Sequence, residues 1–577
     1  MHAAEHFLTS WDGARLFYRA WLPSPAPKKA LLLFHRGHEH SGRWQETVEA
    51  LGFNDIAVFA PDARGHGRSD GERGAANNLC DVIKDIDFFA RHISTQHAIR
   101  LENTIVLAHS LAAVNVAAWV HDYAPPIRAM ILATAAFRVK LYVPLAIPAL
   151  RMRQNFFGPG RVSSYVKSGL LTRDRKEAAR YDADPLIFRQ IAVNVMLDLN
   201  DTAKRLVADA GAIQTPTLML CAGRDWVVRM KAQKEFFDRL SSPIKQMETY
   251  PTACHAIFHD IDRGKVMDRI RRFVRENFAN GPATVSMLKA DEHGFTRAEF
   301  DRLKSGGGRR FSLARVGLRT AGRLSRGVQI GLRSGFDSGL SLDYVYENNP
   351  RGRTPLGRLI DKSYLNAIGW RGIRQRRLNL NDALTHAIVE LHRQGRPVRI
   401  LDIAAGAGRY VIETMKSLSH IPMTARLRDY RTENIDKITS LANEFGLTNV
   451  TAQHGDAFDA ESIAALSPKA TIGLVSGLYE LFPSNPAVLN SLAGLAKAIE
   501  PGGFLIFTNQ PWHPQVEFIA RVLRNREGQP WIMRRRTTAE MDELTLTAGF
   551  RKLSMQVDQW GMFTVSTAKR ETNEEHR

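Results

Sequence analysis

Ser110 ends the apolar run TIVLAHS (104–110) and opens LAAVNVAAWV, a stretch with good helical character. A serine on a sharp strand-to-helix turn exposes its Oγ. It also directs the next backbone N–H and the helix N-terminus toward a developing oxyanion. That is the chemistry of acyl transfer. The usual spacing is G-x-S-x-G, and here Ala108 and Ala112 take both glycine positions. Each adds a methyl group where a strained nucleophile brings its neighbours close; a serine at this place also reads as a plain helix cap. A second chemical pattern lies in VRILDIAAGAGRYVIETM (398–415). Gly406 and Gly408 let the backbone approach a ligand closely, and the helix start that follows favours a phosphate or carboxylate. Acids recur at successive strand ends: Asp402, Asp429 and Asp456.

Two sets of alternating strands and helices must hold these residues. In the first, ALLLFH (30–35), AVFAPD (57–62), TIVLAHS, AMILAT (129–134) and TLMLCAG (217–223) read as buried strands, each leading into a loop rich in Gly, His, Asp or Ser. Such loops lie at the carboxyl ends of strands, where α/β enzymes place their chemistry. Between about 137 and 214 the pattern turns helical, basic and proline-interrupted, as a cap inserted over a sheet reads. KVMDRIRRFVREN (265–277) closes this half as an amphipathic helix. After a glycine-rich break the second set begins at VRILD. It runs through TARLRDY (424–430), NVTAQHGDAFD (449–459), TIGLVSGLYE (471–480) and GGFLIFTNQ (502–510).

The loop His35-Arg36-Gly37-His38-Glu39-His40-Ser41-Gly42-Arg43 and the run Asp62-Ala63-Arg64-Gly65-His66-Gly67-Arg68-Ser69 join the serine turn in a pattern. Together they resemble the α/β-hydrolase fold, and within it the monoacylglycerol lipase and lysophospholipase-like serine hydrolases. The resemblance keeps EHSGR and RGHG, and departs at Arg36 and His38, where that family has glycines. It implies oxyanion donors at the backbone N–H groups of Gly37 and Leu111. It implies an orienting acid at Asp225, in the loop Arg224-Asp225-Trp226, and a general base at His255, with His259 as the substitute. His35, His38, His40 and His66 lie on two loops without metal-ligand spacing, and no metal is expected. An α/β-hydrolase-like domain without catalysis, serving as a lipid- or partner-binding module, is the alternative.

The second set is similar to class I S-adenosylmethionine-dependent methyltransferases, with Ala404 in place of the first glycine of the motif. The resemblance implies S-adenosylmethionine as cofactor, held by Asp402, Ala404, Gly406, Gly408, Asp429 and Asp456. It also implies a substrate entrance at Ser476-Gly477-Leu478-Tyr479-Glu480. A nucleotide-binding dehydrogenase is the rival, against which HGDAF and EPGG weigh. The aromatic and basic stretch 341–396 is expected to fold over this site as an N-terminal extension. The expected organisation is therefore a hydrolase domain over 1–280, a basic glycine-rich linker over 281–340 and a methyltransferase domain over 341–577.

Composition narrows the class. Of 577 residues, 44% are hydrophobic and 24% charged, which excludes wholesale disorder, collagen and coiled coil. Three cysteines, Cys80, Cys221 and Cys254, are too few for a disulfide framework or a four-thiolate zinc site, and suggest a reducing compartment. MHAAEHFLTSWDG has no apolar h-region, and Met130 to Leu150 is broken by Arg138, Lys140, Pro144 and Pro148. A cytoplasmic protein is expected. The segments 138–190 and 302–333 hold +16 of the net charge of +20. Arg315, Arg319, Arg323 and Arg326 share one side of a helical wheel, with Leu313, Ala321, Leu324, Val328 and Leu332 opposite. A helix lying on an anionic membrane surface and a helix packing on its own domains are both consistent with this. Nucleic-acid binding, including RNA methylation, is the weaker third reading, because no aromatics interleave the basic residues. The expected ligand of the hydrolase is a small-molecule or lipid ester; the methyl acceptor is not legible.

Overall fold

The computed structural model describes residues 2–571 apart from 165, 284, 306 and 307. Gly306 and Gly307 of the glycine run therefore lie outside the described residues. The chain divides into two compact units, Met1–Val285 and Ser286–Arg577.

In the first unit the expected runs are strands. β1 (Ala4–Thr9), β2 (Arg15–Trp21), β3 (Ala30–Phe34), β4 (Ala57–Pro61), β5 (Thr104–His109) and β6 (Ala129–Ala133) come before the cap. A two-stranded pair, β7 (Arg161–Ser163) and β8 (Gln190–Ala192), lies within it, and β9 (Thr217–Ala222) and β10 (Lys245–Tyr250) follow. The main sheet runs β1-β2-β4-β3-β5-β6-β9-β10. It is antiparallel from β1 to β4 and parallel beyond. β3 to β6 and β9 are buried along their whole length, which accounts for their unbroken apolar runs. The helix Leu111–Tyr123 is buried at every position after Leu111, and its four alanines suit a helix crowded on all sides. Four helices fall between β6 and β9: Ala146–Phe157, Ser168–Leu171, Arg175–Ala183 and Val193–Asp209. They occupy the stretch between about 137 and 214 that reads as helical in the sequence.

The second unit contains β11 (Val398–Asp402), β12 (Met423–Asp429), β13 (Val450–His454), β14 (Ala470–Val475), β15 (Ile499–Asn509), β16 (Phe550–Val557) and β17 (Thr564–Arg570). Their order is β13-β12-β11-β14-β15-β17-β16. β11 to β15 are parallel and β17 is antiparallel to both its neighbours. The order reverses between β11 and β14. In a sheet of this kind ligands bind beside such a point, at the carboxyl ends of the strands. The helix Ile368–Arg393 belongs to the expected extension, and its second half, from Leu380 to Leu391, packs in the core beside β11 and β12.

The basic segment differs from its reading as a linker with one amphipathic face. It folds within the second unit as helices Phe295–Lys304, Arg309–Arg319 and Arg326–Ser334, the last two separated by a tight turn at Ala321–Leu324. Leu313 is 73% exposed whereas Val328 is 2% exposed, so no single apolar face spans 313–332. The glycines explain the packing. A Cβ at Gly327 would lie 2.4 Å from the Tyr364 ring, and one at Gly331 would lie 2.3 Å from the Phe336 ring. Only bare backbone admits those aromatic rings against the helix.

Candidate functional sites

β5 delivers Ser110 to a turn with φ +58° and ψ −112°, a region that strains any side-chain-bearing residue. Two backbone bonds hold the strained turn: the Ser110 N–H donates to the Ala133 carbonyl at 2.9 Å, and the Ala136 N–H donates to the Ser110 carbonyl at 3.1 Å. Ser110 Oγ lies 2.8 Å from His255 Nε2, and His255 Nδ1 lies 2.8 Å from Asp225 Oδ2. All three side chains are buried. The remaining Asp225 oxygen accepts from the Val227 and Val228 amides at 2.8 and 2.9 Å. Burial works to raise the Asp225 carboxyl. The His255 ring and the two amides outweigh it, and the group sits below its ordinary value. The acid is thereby kept ionised beside the imidazole. His259 is not in this relay; its Nδ1 lies 3.7 Å from Glu177, and burial lowers its pKa to about 4.

A Cβ built on Gly37 would stand 3.6 Å from the Leu111 side chain, so the two expected donor residues are neighbours. His38 retains φ +73°, a conformation in which the resembling family places glycine. It is anchored through Nδ1 to the Phe188 carbonyl at 2.8 Å. Arg36 turns inward, with its Nη2 2.9 Å from Glu39 and its guanidinium 4.8 Å over the Tyr181 ring. Both departures thus bind cap residues or charges beneath the loop. One contact escaped the sequence reading: His109 Nε2 lies 3.0 Å from the His255 carbonyl.

In the second unit the turn after β11 opens on a cavity of about 690 Å³. Ala404, Gly406, Gly408 and Asp429 line it, as does the loop Ser476-Gly477-Leu478 with Glu480. Gly406 and Gly408 adopt φ +58° and +65°. A Cβ at Gly406 would meet no atom within 4 Å, so this glycine faces open space. Asp429 Oδ2 accepts from the Gly406 N–H at 2.9 Å, and Oδ1 from the Arg431 N–H and Asn434 Nδ2. A carboxylate offers about four acceptor positions, so one remains for a further donor.

Two of the expected cofactor residues lie elsewhere. Asp402 is fully buried and takes the Ala404 amide and the Tyr410 hydroxyl; burial pushes its carboxyl up to about 7, against those two hydrogen bonds. Asp456 is exposed, caps the Phe458 amide at 2.9 Å and does not line the cavity. An acid that satisfies a local amide has the same sequence signature as one that meets a ligand. The extension supplies part of the wall instead: Tyr346, Tyr364, Trp370 and Arg376.

A family model described as "Putative methyltransferase" matches residues 270–570. The chain belongs to that family. The methyltransferase model reaches back across the whole basic segment, in accord with the helices found there. A second model, "Serine aminopeptidase, S33", matches residues 25–262. The Escherichia coli (strain K12) "Uncharacterized protein YnbC" is 45% identical over 99% of both chains. Over the first unit, the monoacylglycerol lipase of Mycolicibacterium smegmatis (strain ATCC 700084 / mc(2)155) is 25% identical, covering 47% of this chain and 96% of its own. The Mus musculus monoglyceride lipase is 27% identical, covering 47% and 90%. Among solved structures, the Paleococcus ferrophilus monoacylglycerol lipase matches 48% of this chain and 100% of its own, with 21% identity and a TM-score of 0.41. The chain thus joins an α/β-hydrolase domain related to monoglyceride lipases to a methyltransferase domain. Among the described residues no helix is long and apolar enough to cross a membrane.

Proposed function

We propose that the first unit is a serine ester hydrolase, and that the observation carrying this reading is the buried relay from Ser110 through His255 to Asp225. His255 Nε2 takes the Ser110 proton as Oγ attacks the acyl carbon. Asp225 holds the ring in the tautomer with the proton on Nδ1 and stabilises the imidazolium. The Gly37 and Leu111 amides donate to the oxygen that becomes negative. His255 then protonates the leaving alcohol, and a water activated by the same ring releases the acid from Ser110. The kinship with monoglyceride lipases supports a monoacylglycerol or lysophospholipid-like ester as substrate. The test is labelling by a fluorophosphonate probe, wild type beside Ser110→Ala. Labelling that vanishes in the variant supports the reading. A folded wild type that takes no label favours a binding module in its place.

The second unit is read as an S-adenosylmethionine-dependent methyltransferase. The residues present fit that cofactor: an open glycine turn, a spare acceptor on Asp429 and a helix start at Arg409. When bound, the cofactor supplies an electrophilic methyl group. Gly406 would give its chain room against the backbone, Gly408 lets the turn pack closely on Leu427, and Asp429 would accept from its ribose. S-adenosylhomocysteine binding, measured by calorimetry on wild type and Asp429→Ala, tests this. Leu313 and Val316 are exposed beside Arg315 and Arg319 on one helix, which supports contact with an anionic lipid surface. Sedimentation with phosphatidylglycerol vesicles tests that contact.

A further inference from the structure

Gly37, read as an oxyanion donor, has no side chain with which to hold its own place. Its N–H belongs to the peptide that also carries the Arg36 carbonyl, and in a trans peptide the two point in opposite directions. Two donors fix that carbonyl: the Glu39 N–H reaches it at 3.3 Å and His35 Nδ1 at 2.8 Å. Burial lowers the His35 pKa, and its Nε2 accepts from the Ala63 N–H at 2.9 Å, so the ring's proton sits on Nδ1. Arg36 to Glu39 is thus a tight turn with Gly37 and His38 at its centre. His38 holds φ +73° where such a turn favours glycine.

The long side chains of this loop reach one place, the helical insertion between β6 and β9. The Arg36 guanidinium lies 4.8 Å over the Tyr181 ring. His38 Nδ1 lies 2.8 Å from the Phe188 carbonyl. Burial, then Arg36, lowers the His38 pKa to about 4, so the ring is neutral and donates this proton. His40 Nε2 meets Asp184 at 2.9 Å, and Arg43 Nη2 meets Glu177 at 3.1 Å. Arg36 and Tyr181 are 4% and 2% exposed, and a cation over a ring is held more firmly when water is excluded. His40 and Arg43 lie in the stretch EHSGR that the resemblance keeps. Arg36 and His38 stand where the resembling family has glycines, and a glycine could make neither contact. A side chain at positive φ is strained, and the bond to Phe188 holds that strain in place.

We propose that Arg36 and His38 are positioning residues for the hydrolase: they tether the turn to residues 181–188, and the tether aims the Gly37 N–H at the reacting oxygen. The inference rests on the serine hydrolase reading of Ser110. Arg36 grips the insertion on one side of Gly37 and His38 on the other, so the peptide between them cannot tilt freely. The donor is in place while residues 181–188 are seated, and a shift of the insertion weakens it. The effect falls on the step in which oxygen turns negative, because a donor matters most where charge develops.

The test uses the full chain, a fluorophosphonate probe and an alkyl trifluoromethyl ketone. With the ketone, Ser110 Oγ bonds to the carbonyl carbon, its proton passes to His255, and the carbonyl electrons move to oxygen. His38→Gly suits the backbone and removes one anchor. It should melt within a few degrees of wild type. Its limiting labelling rate should fall about tenfold, with apparent probe affinity within about twofold. The ketone's inhibition constant should rise by a similar factor, which a smaller folded fraction would not cause. His38→Asn tolerates positive φ and puts its Nδ2 donor in the place of Nδ1, so it should return to within about threefold of wild type. Arg36→Met and Tyr181→Leu should each slow labelling severalfold, and the double variant no more than the slower single one. Arg43 Nε, 3.6 Å from Glu39, remains as its counter-charge in Arg36→Met; if that variant does not fold, the two His38 variants decide. His38→Gly labelled as fast as wild type, a slower rate with an unchanged ketone constant, or losses that multiply in the double variant would overturn the tether. A folded wild type that takes no label removes the hydrolase reading and this inference with it. A labelled wild type beside an equally fast His38→Gly removes the tether alone.

Discussion

His109 Nε2 lies 3.0 Å from the carbonyl oxygen of His255, so the residue before the strained serine touches the backbone of the histidine that faces that serine. Thr134 Oγ1 donates to the same carbonyl at 3.1 Å. Burial, followed by the nearby His255 and Arg36, holds the His109 ring well below its ordinary pKa. It is therefore neutral and donates its Nε2–H. The ends of β5 and β6 together fix the loop that carries His255, and the separation of Ser110 from His255 is set by backbone as much as by side chains.

Removing one of those donors should loosen that loop. His109→Leu keeps the volume and loses the hydrogen bond, at a cost of about 1 kcal/mol or more. The rate of fluorophosphonate labelling should fall about tenfold, because small misplacements of a base are expensive. Thr134→Val should do less, since the His109 ring, unlike Thr134, also stacks on the His255 ring with centroids 5.6 Å apart. Labelling rates of the two variants beside wild type check the order.

The turn at Ser110 stores strain that glycine would release. Ser110→Gly and Ser110→Ala both lose the hydroxyl, but alanine keeps a Cβ at φ +58° and ψ −112°. The glycine variant should be the more stable by about 1–3 kcal/mol. Denaturation of the first unit, followed in urea for both variants, reads the difference.

How much of this could be read from residues alone depended on where each signal sat. Ser110, Asp225 and His255 each stand in a loop at the end of a strand, inside motifs whose spacing survives, and the structure brings them into one relay. The strands β3 to β6 were legible because burial on both faces leaves unbroken apolar runs. His109's contact was not, because it depends on how a loop 146 residues later folds over β5. Asp456 looked like a ligand-facing acid and instead caps its own loop. The glycines of the basic segment suggested a flexible linker, yet Gly327 and Gly331 are there because aromatic rings occupy the space of a Cβ.

The two glycines after β11 should respond differently to alanine. A Cβ at Gly406 enters open space, whereas one at Gly408 would lie 2.6 Å from Leu427 and 3.3 Å from Ile438. Gly406→Ala should fold with a loss of about 1 kcal/mol from its positive φ and weaken S-adenosylhomocysteine about tenfold. Gly408→Ala should lose more stability than Gly406→Ala. Thermal unfolding and calorimetric titration on both variants check the contrast.

Asp402 makes the second unit lose stability as the pH rises from acid to neutral. Its carboxyl titrates near 7 when folded and near 4 when unfolded. The folded state therefore holds the extra proton between those values, and stability falls as pH rises through that window, then levels. The full difference corresponds to about 4 kcal/mol. Asp402→Asn, which can still accept from the Ala404 amide, should gain on wild type steadily from pH 5 to about pH 8. Melting temperatures of both proteins across that range provide the measurement, and a constant offset would count against the assignment.

The run Arg534-Arg535-Arg536 is almost wholly buried. Arg534 reaches Glu540 at 2.7 Å and Thr296 at 3.2 Å, Arg535 pairs with Glu299, and Arg536 binds the carbonyls of Tyr479 and Phe482. Asp291 meanwhile accepts from the Asn485 N–H at 2.7 Å. A gene fragment beginning at 341 would thus remove Glu299, the carboxylate paired with Arg535, and Thr296 from the surroundings of a run of arginines that is buried in the full chain. For expression of the second half by itself, the informative cut falls ahead of residue 286, where the two compact units divide.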